Sequence, residues 1–218
     1  MNCLLVAATS REIMPFIRWY QKNTAACPVA ADILITGAGM LPAAWSITHQ
    51  LHISRPDLII QAGIAGSFDT ATPPGSVFAI GSEAIADLGV QENGKLLSIF
   101  DMKIMGPNQP PFKKGWLPNP GKSWLKKTGV PAVKAVTVNQ VSAEKKIIRQ
   151  YMEKYQPALE SMEGAALHYA ALRAGVPFVQ LRAVSNYAGE RDKAKWKIKE
   201  AIGALNHTLI RFVINLEN

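Results

Sequence analysis

Cysteine is scarce in this chain: Cys3 and Cys27 are the only two among its 218 residues. Two are too few for a disulfide framework, and they lack the close spacing of zinc ligands. Cys3 sits in an apolar run and reads as core packing. Long apolar stretches are missing as well, and no run approaches a membrane span. The opening residues, "MNCLLVAATSREI", carry no basic segment ahead of the apolar one, so they do not read as a signal peptide. A reduced, cytoplasmic, soluble protein with no membrane partner is expected. No Gly-x-Ser-x-Gly elbow, Walker loop or His-Glu-x-x-His occurs, which removes several hydrolase classes. The four histidines (His49, His52, His168 and His207) fall in helical stretches without ligand-spaced partners, so no metal is expected.

Charge is thin, at 18% of residues against 48% hydrophobic, which allows a sizeable core and argues against disorder. The 24 basic and 16 acidic residues give a net charge of +8. These cations are scattered, and the densest cluster, "ERDKAKWKIKE" (190–200), reads as a solvated helix face. Nucleic acid is therefore not the expected partner, and an anionic small substrate explains the surplus more simply.

What the chain does have is alternation. Strands are expected at 2–8, 32–39, 57–68, 131–141, 159–162 and 177–186, with two short ones within 75–89. Helices are expected at 11–22, capped by Thr9 or Ser10, at 42–54, at 142–155 capped by Ser142, at 163–174, and from about Asp192 onward. Residues 100–128 hold five of the fourteen prolines and show no period, so they read as a long irregular excursion. The pattern predicts one α/β domain over 1–218, with a mixed, mostly parallel central sheet flanked by helices.

In such sheets ligands gather at the carboxyl ends of the strands. That rule singles out Glu12, Gly37–Gly39, Gly63–Gly66, Val138–Val141, Met162–Glu163 and Ser185–Asn186. "TGAGMLP" (36–42) hints at a dinucleotide loop, but Pro42 stands where the third glycine belongs, and a close-packed turn explains it better. "QAGIAGS" (61–67) suits a tight turn or backbone N–H groups offered to a ligand. Glu12 and Glu163 both suit the first turn of a helix, where an acid gains about 0.3–1 kcal/mol from the dipole. Glu163 poses a further question, because no Lys or Arg stands three, four or seven residues after it. Its partner must come from another segment or from a ligand. Asn186 has a turn explanation, though an amide can also donate and accept at once.

Taken together, "ATSRE", "ITGAGMLPAAW", "DLIIQAGIAGSF", "ESMEGAAL" and "LRAVSNYAGERDKAKWKI" resemble the nucleoside phosphorylase/nucleosidase superfamily. The likeness covers almost the whole chain, is weakest at 90–130, and is closest to the methylthioadenosine/S-adenosylhomocysteine nucleosidase branch. Within it, "SNYAGERDKAKWKI" and "ADLG" are most similar to the futalosine-hydrolysing members, which serve an alternative menaquinone route. The resemblance implies hydrolysis of a nucleoside without cofactor or metal, in a homodimer or higher homo-oligomer, with 100–118 crossing the interface. It implies Glu12 as the base that activates water, Met162 under the ribose, and Glu163 as acceptor for the sugar hydroxyls. Ala65 and Gly66 would flank the sugar, Gln140 and Val141 would border the base through main-chain groups, and Ser185 would also bind the substrate.

Asn186 departs from the methylthioadenosine branch, which carries Asp there. An amide donates to the two acceptors of a 6-oxopurine edge without carboxylate repulsion, so hypoxanthine is the expected leaving group. The phosphate-holding Gly- and Arg-rich loop of the phosphorylases is replaced here by "ATSRE". A carboxylate 4 Å from phosphate would repel it by about 4 kcal/mol per unit charge at an effective dielectric of ~20, so water is the expected nucleophile. A benzoate-bearing tail would call for a cation, with Lys103, Lys113, Lys114 and Arg191 as candidates and Phe100, Phe112 and Trp116 as its cover. The rival expectations are a methylthioadenosine/adenosylhomocysteine nucleosidase and a nucleoside-binding protein without catalysis.

Overall fold

The computed structural model describes residues 1–216. β1 (Asn2–Ala7), buried from its second residue on, runs through Thr9 into α1 (Ser10–Asn23). The edge strand β2 (Ala30–Ile35) and α2 (Met40–Ile53) follow, then the long β3 (Leu58–Ser67) and β4 (Val77–Ile85). A hairpin of β5 (Gly89–Glu92) and β6 (Lys95–Ser98) precedes β7 (Leu117–Pro118), α3 (Lys122–Lys127) and β8 (Ala132–Thr137). The chain ends with α4 (Lys145–Tyr155), β9 (Leu159–Ser161), α5 (Gly164–Ala174), β10 (Phe178–Tyr187) and α6 (Ile198–Ile214).

The sheet is mixed. β1 pairs in parallel with β2 and β3, as do β3 with β10, β4 with β8, and β8 with β9. Antiparallel pairs join β4 to β10, β9 to β3 and β7 to β4. Followed round, β3–β10–β4–β8–β9 returns to β3, so five strands close into a ring from which β1 and β2 extend. Closure depends on β3, which changes partners along its ten residues: β1 beside Leu58–Gln61, β10 from Ile59, and β9 at Gly66–Ser67. Each ring strand sends one side chain into a shared apolar cluster: Ala65, Ile80, Ala135, Leu159 and Val184. Outside the ring, α1 and α6 cover one face of β1, β3 and β10 around Phe16, Leu205 and Phe212, while α2 and α5 cover the other around Ile47 and Leu167.

Four local expectations need correction. Residues 75–89 hold one long strand, β4, rather than two, because Gly81 is accommodated as an irregularity in its pairing with β8. Residues 100–128 are not wholly irregular, since β7 and α3 lie within them. Ser142 does not cap α4, which begins at Lys145. Both its N–H and its hydroxyl donate instead to the buried Glu160 carboxylate. The last helix starts at Ile198, after a tight 3₁₀ turn at Lys193–Lys195.

Candidate active site

A cavity of about 330 Å³ opens where the ends of β1, β3, β9 and β10 meet the first turns of α1, α5 and α6. Its lining includes Glu12, Ala65, Gly66, Met162, Glu163, Ser185 and Asn186, together with Val141. Gln140 is the exception among the expected site residues. It is exposed and lines a neighbouring hollow of about 240 Å³ that meets the main cavity at Val141.

Glu12 is the third residue of α1 and reaches back, as in a capping box, to the N–H of Thr9 with Oε2 at 3.0 Å. The same oxygen accepts from the Thr9 hydroxyl at 3.0 Å, while Oε1 accepts from the Ile64 N–H at 3.1 Å. Helix initiation and strand β3 thus hold one carboxylate from two sides.

Glu163 answers the question raised by its own helix. Its Oε1 accepts from the Gly39 N–H at 2.9 Å, and Oε2 lies 3.5 Å from Nη1 of Arg182 on β10. The glycine turn of "TGAGMLP" is therefore the backbone cradle of this carboxylate, with Gly39 at φ +102°, a conformation closed to most side chains. Arg182 is the largest fully buried side chain, so its charge must be matched locally. Gln61 accepts from Nη2 at 3.1 Å and Glu163 faces Nη1. A methyl group at Gly63 would collide with Nη1 and lie 3.1 Å from Glu12 Oε1, so the missing side chain lets the guanidinium sit beside both acids.

Asn186 is aimed by an irregularity in strand pairing. Along β10 and β3, Val184 faces Ala65 and Asn186 faces Gly66, which leaves Ser185 as the extra residue of a bulge. The Ser185 hydroxyl donates to Asn186 Oδ1 at 2.7 Å, and Asn186 Nδ2 donates to the Tyr187 carbonyl at 3.1 Å. The donor and the carbonyl together orient the amide, and Nδ2 keeps a second hydrogen for a ligand.

Beneath α5 lies a sealed polar layer. Glu83 on β4 accepts from the Thr137 hydroxyl at 3.1 Å and contacts Gln180 Nε2 at 2.9 Å. Burial pushes its carboxyl up to about 7. His168, fully buried, binds the Leu117 carbonyl through Nδ1 at 2.8 Å, and burial lowers its imidazole to about 4. Gly164 has no side chain because Glu83 and Gln180 fill that place.

Arg182, Glu160, Trp196, Ile198 and Ile202 were not among the residues expected at the site, although all but Arg182 line the cavity. A readable signal existed for Arg182: one arginine inside the apolar strand "PFVQLRAVSN" demands a buried acid. Several tail candidates lie elsewhere. Lys113 and Phe112 line a separate hollow beside Arg173, Trp116 packs edge-on against Tyr155, and Phe100 packs on Phe112. Lys103 and Lys114 are exposed, whereas Arg191 stacks 5.8 Å from the Trp196 ring at the cavity wall.

Comparison with known proteins identifies the family. A family model described as the Phosphorylase superfamily matches residues 29–214. The chain is 32% identical over 198 residues to a futalosine hydrolase of Streptomyces coelicolor, covering 88% of this chain and 82% of that protein. Its fold matches an S-adenosylhomocysteine nucleosidase from Streptococcus pyogenes, solved with 5-methylthiotubericidin (TM-score 0.81, 17% identity, 99% and 97% of the two chains). It matches a futalosine hydrolase of Helicobacter pylori almost equally (TM-score 0.80, 12% identity, 98% and 97%). Two such scores do not separate the two activities, so that distinction rests on sequence and on individual residues.

Proposed function

The chain belongs to the phosphorylase superfamily, and on that premise we propose that it is an N-glycosyl hydrolase that splits futalosine into hypoxanthine and dehypoxanthinyl futalosine, a step of menaquinone biosynthesis in the cytoplasm. The supporting observation is that Glu12, Glu163 and Asn186, distant along the chain, line one cavity of nucleoside size. Their chemistry fits the parts of the reaction. Asn186 Nδ2 donates to the acceptor edge of a 6-oxopurine, so electron density leaving with the base is stabilised as the C1′–N9 bond breaks. Glu163 accepts from the ribose hydroxyls, with Met162 beneath the ring. Glu12 takes a proton from water as the water oxygen bonds to C1′, and the departing purine is protonated from solvent. Arg182 is a positioning residue here, since its charge holds Glu163 and lies beside Glu12.

The test is incubation with futalosine and with methylthioadenosine, each with and without phosphate, followed by chromatography of the released base. Hypoxanthine from futalosine, independent of phosphate, is expected. Adenine from methylthioadenosine as the faster product would transfer the chain to the rival branch, and tight binding without base release would make it a binding protein.

We propose further that the protein is a homodimer that pairs through the outer face of α2. Leu41, Trp45 and Ile53 stand 81%, 66% and 64% exposed there, and clustered apolar exposure of this kind marks protein contacts. Sedimentation of the wild type and of Trp45→Arg checks this, with a shift toward monomer expected in the variant.

A further inference from the structure

One buried acid at the cavity has no part in the reaction described above. Glu160 on β9 lines the cavity, yet among the described residues it takes part in no ion pair. Both of its donors belong to Ser142: the N–H reaches Oε1 at 3.0 Å, and the hydroxyl reaches Oε2. Each carboxylate oxygen keeps a second lone pair. Burial raises this carboxyl, and the two Ser142 donors draw it back toward the ionised form.

Strand register sets where the acid stands. Gly66 on β3 pairs with Glu160 on one side and with Asn186 on the other. Residues paired across neighbouring strands project from the same face of a sheet, so the carboxylate and the amide flank a residue with no side chain. Two strand spacings separate them, about 10 Å, which is room for the flat edge of a purine. A methyl group at Gly66 would stand 3.4 Å from Asn186 Nδ2, so the amide leans over the glycine, whereas Glu160 is drawn aside to Ser142. Ser142 also ties the two sides together. Its carbonyl accepts at 3.0 Å from the N–H of Gly189, three residues beyond Asn186.

The polar groups of a 6-oxopurine run round the ring in the order N7, O6, N1–H. The first two are acceptors and suit the Asn186 amide. The third is a donor and calls for an acceptor one step further on. A 6-aminopurine carries N1 there without a hydrogen, as a lone pair that a carboxylate repels. We propose that Glu160 is a specificity-determining residue that accepts the N1–H of hypoxanthine, with Asn186 on the O6 and N7 edge across Gly66. This deepens the futalosine reading and rests on it. Selection then works in both directions, because the carboxylate that holds the 6-oxo base opposes the 6-amino one. A hydrogen bond to a charged group corresponds to about a 10- to 100-fold change in binding.

The experiment compares kcat/KM for futalosine with that for its 6-amino analogue in wild type, Glu160→Gln and Glu160→Met. Glutamine keeps a carbonyl acceptor but loses the charge, and methionine removes acceptor and repulsion together. The futalosine-to-analogue ratio is expected to fall about tenfold in Glu160→Gln and about a hundredfold in Glu160→Met. An unchanged ratio would overturn the assignment. Equal losses on both substrates would overturn it too, leaving Glu160 as a support for the Ser142 loop. Thermal melts verify that the variants are folded, and one measurement needs no variant. Hypoxanthine should inhibit the wild type about tenfold more tightly than adenine does, and equal inhibition would again overturn the assignment. A wild type that releases adenine from methylthioadenosine and spares futalosine would instead overturn the substrate reading on which the assignment rests.

Discussion

Buried acids sit in two settings in this molecule, Glu12 and Glu163 at the cavity and Glu83 in the sealed layer, and their surroundings differ. At the cavity, Glu12 and Glu163 each accept from a backbone N–H held by secondary structure, and Arg182 adds a positive charge that faces Glu163. Beneath α5, Glu83 is offered only a hydroxyl and an amide, and burial pushes it up to about 7. Depth contributes, since Glu12 and Glu163 keep 8% and 7% exposure while Glu83 keeps none. The donors differ. Backbone N–H groups hold the two cavity acids in place, whereas burial in the sealed layer favours a neutral Glu83.

The largest expected effect tests the cavity side. Glu12→Gln keeps the shape but removes the proton acceptor, so kcat should fall by about 10²–10⁴ with a modest change in KM, measured by steady-state assay. A variant at near full rate would end the role of Glu12 as base. Next comes the cation that faces Glu163. Arg182→Met leaves that buried carboxylate without its cation, and denaturant unfolding should show a loss of about 3–5 kcal/mol. If stability is kept, Glu163 is matched by its backbone donor alone.

The sealed side predicts a pH dependence. The folded protein holds a proton on Glu83 that the unfolded chain releases above its ordinary value of 4.5, so this group's contribution declines as pH rises from about 4.5 to about 7. His168 acts in the other direction. Its folded value of about 4 lies below the ordinary 6.5, so its contribution grows as pH rises through that window. Each is worth about 3 kcal/mol at most, and they offset each other between about pH 4.5 and 6.5. Glu83→Gln should remove one arm of the balance, so melting temperature climbs more steeply with pH over that range than in the wild type. Equal slopes in the two proteins would mean that Glu83 is ionised in the fold.

The smallest effect concerns selectivity. Asn186→Asp should move the ratio of hypoxanthine to adenine release toward adenine by about tenfold in a competition assay, one hydrogen bond's worth. An unmoved ratio would remove the amide as the reader of the base.

Much of this was legible before any coordinates, for a physical reason. Polar residues at the ends of apolar strands have few places to go, so Glu12, Glu163 and Asn186 stood out one by one. What the sequence could not convey was pairing between distant segments. Nothing near Glu163 names Arg182, and nothing near Ser142 names Glu160, because these contacts arise only when β9 and β10 are in register with their neighbours. The ring closure is of the same kind, since it depends on β3 changing partners along its length. Gln140 and Val141 differ by one position, and Val141 faces the cavity while its neighbour lines the adjoining hollow.

The anchoring of Glu12 has one more result. A carboxylate has about four acceptor positions. Thr9 fills two through its N–H and hydroxyl, and Ile64 fills a third. Among the described residues these are the donors to Glu12, which leaves one lone pair on Oε1 to receive an arriving water molecule, so the bearing of its approach is set by the fold before any nucleoside enters.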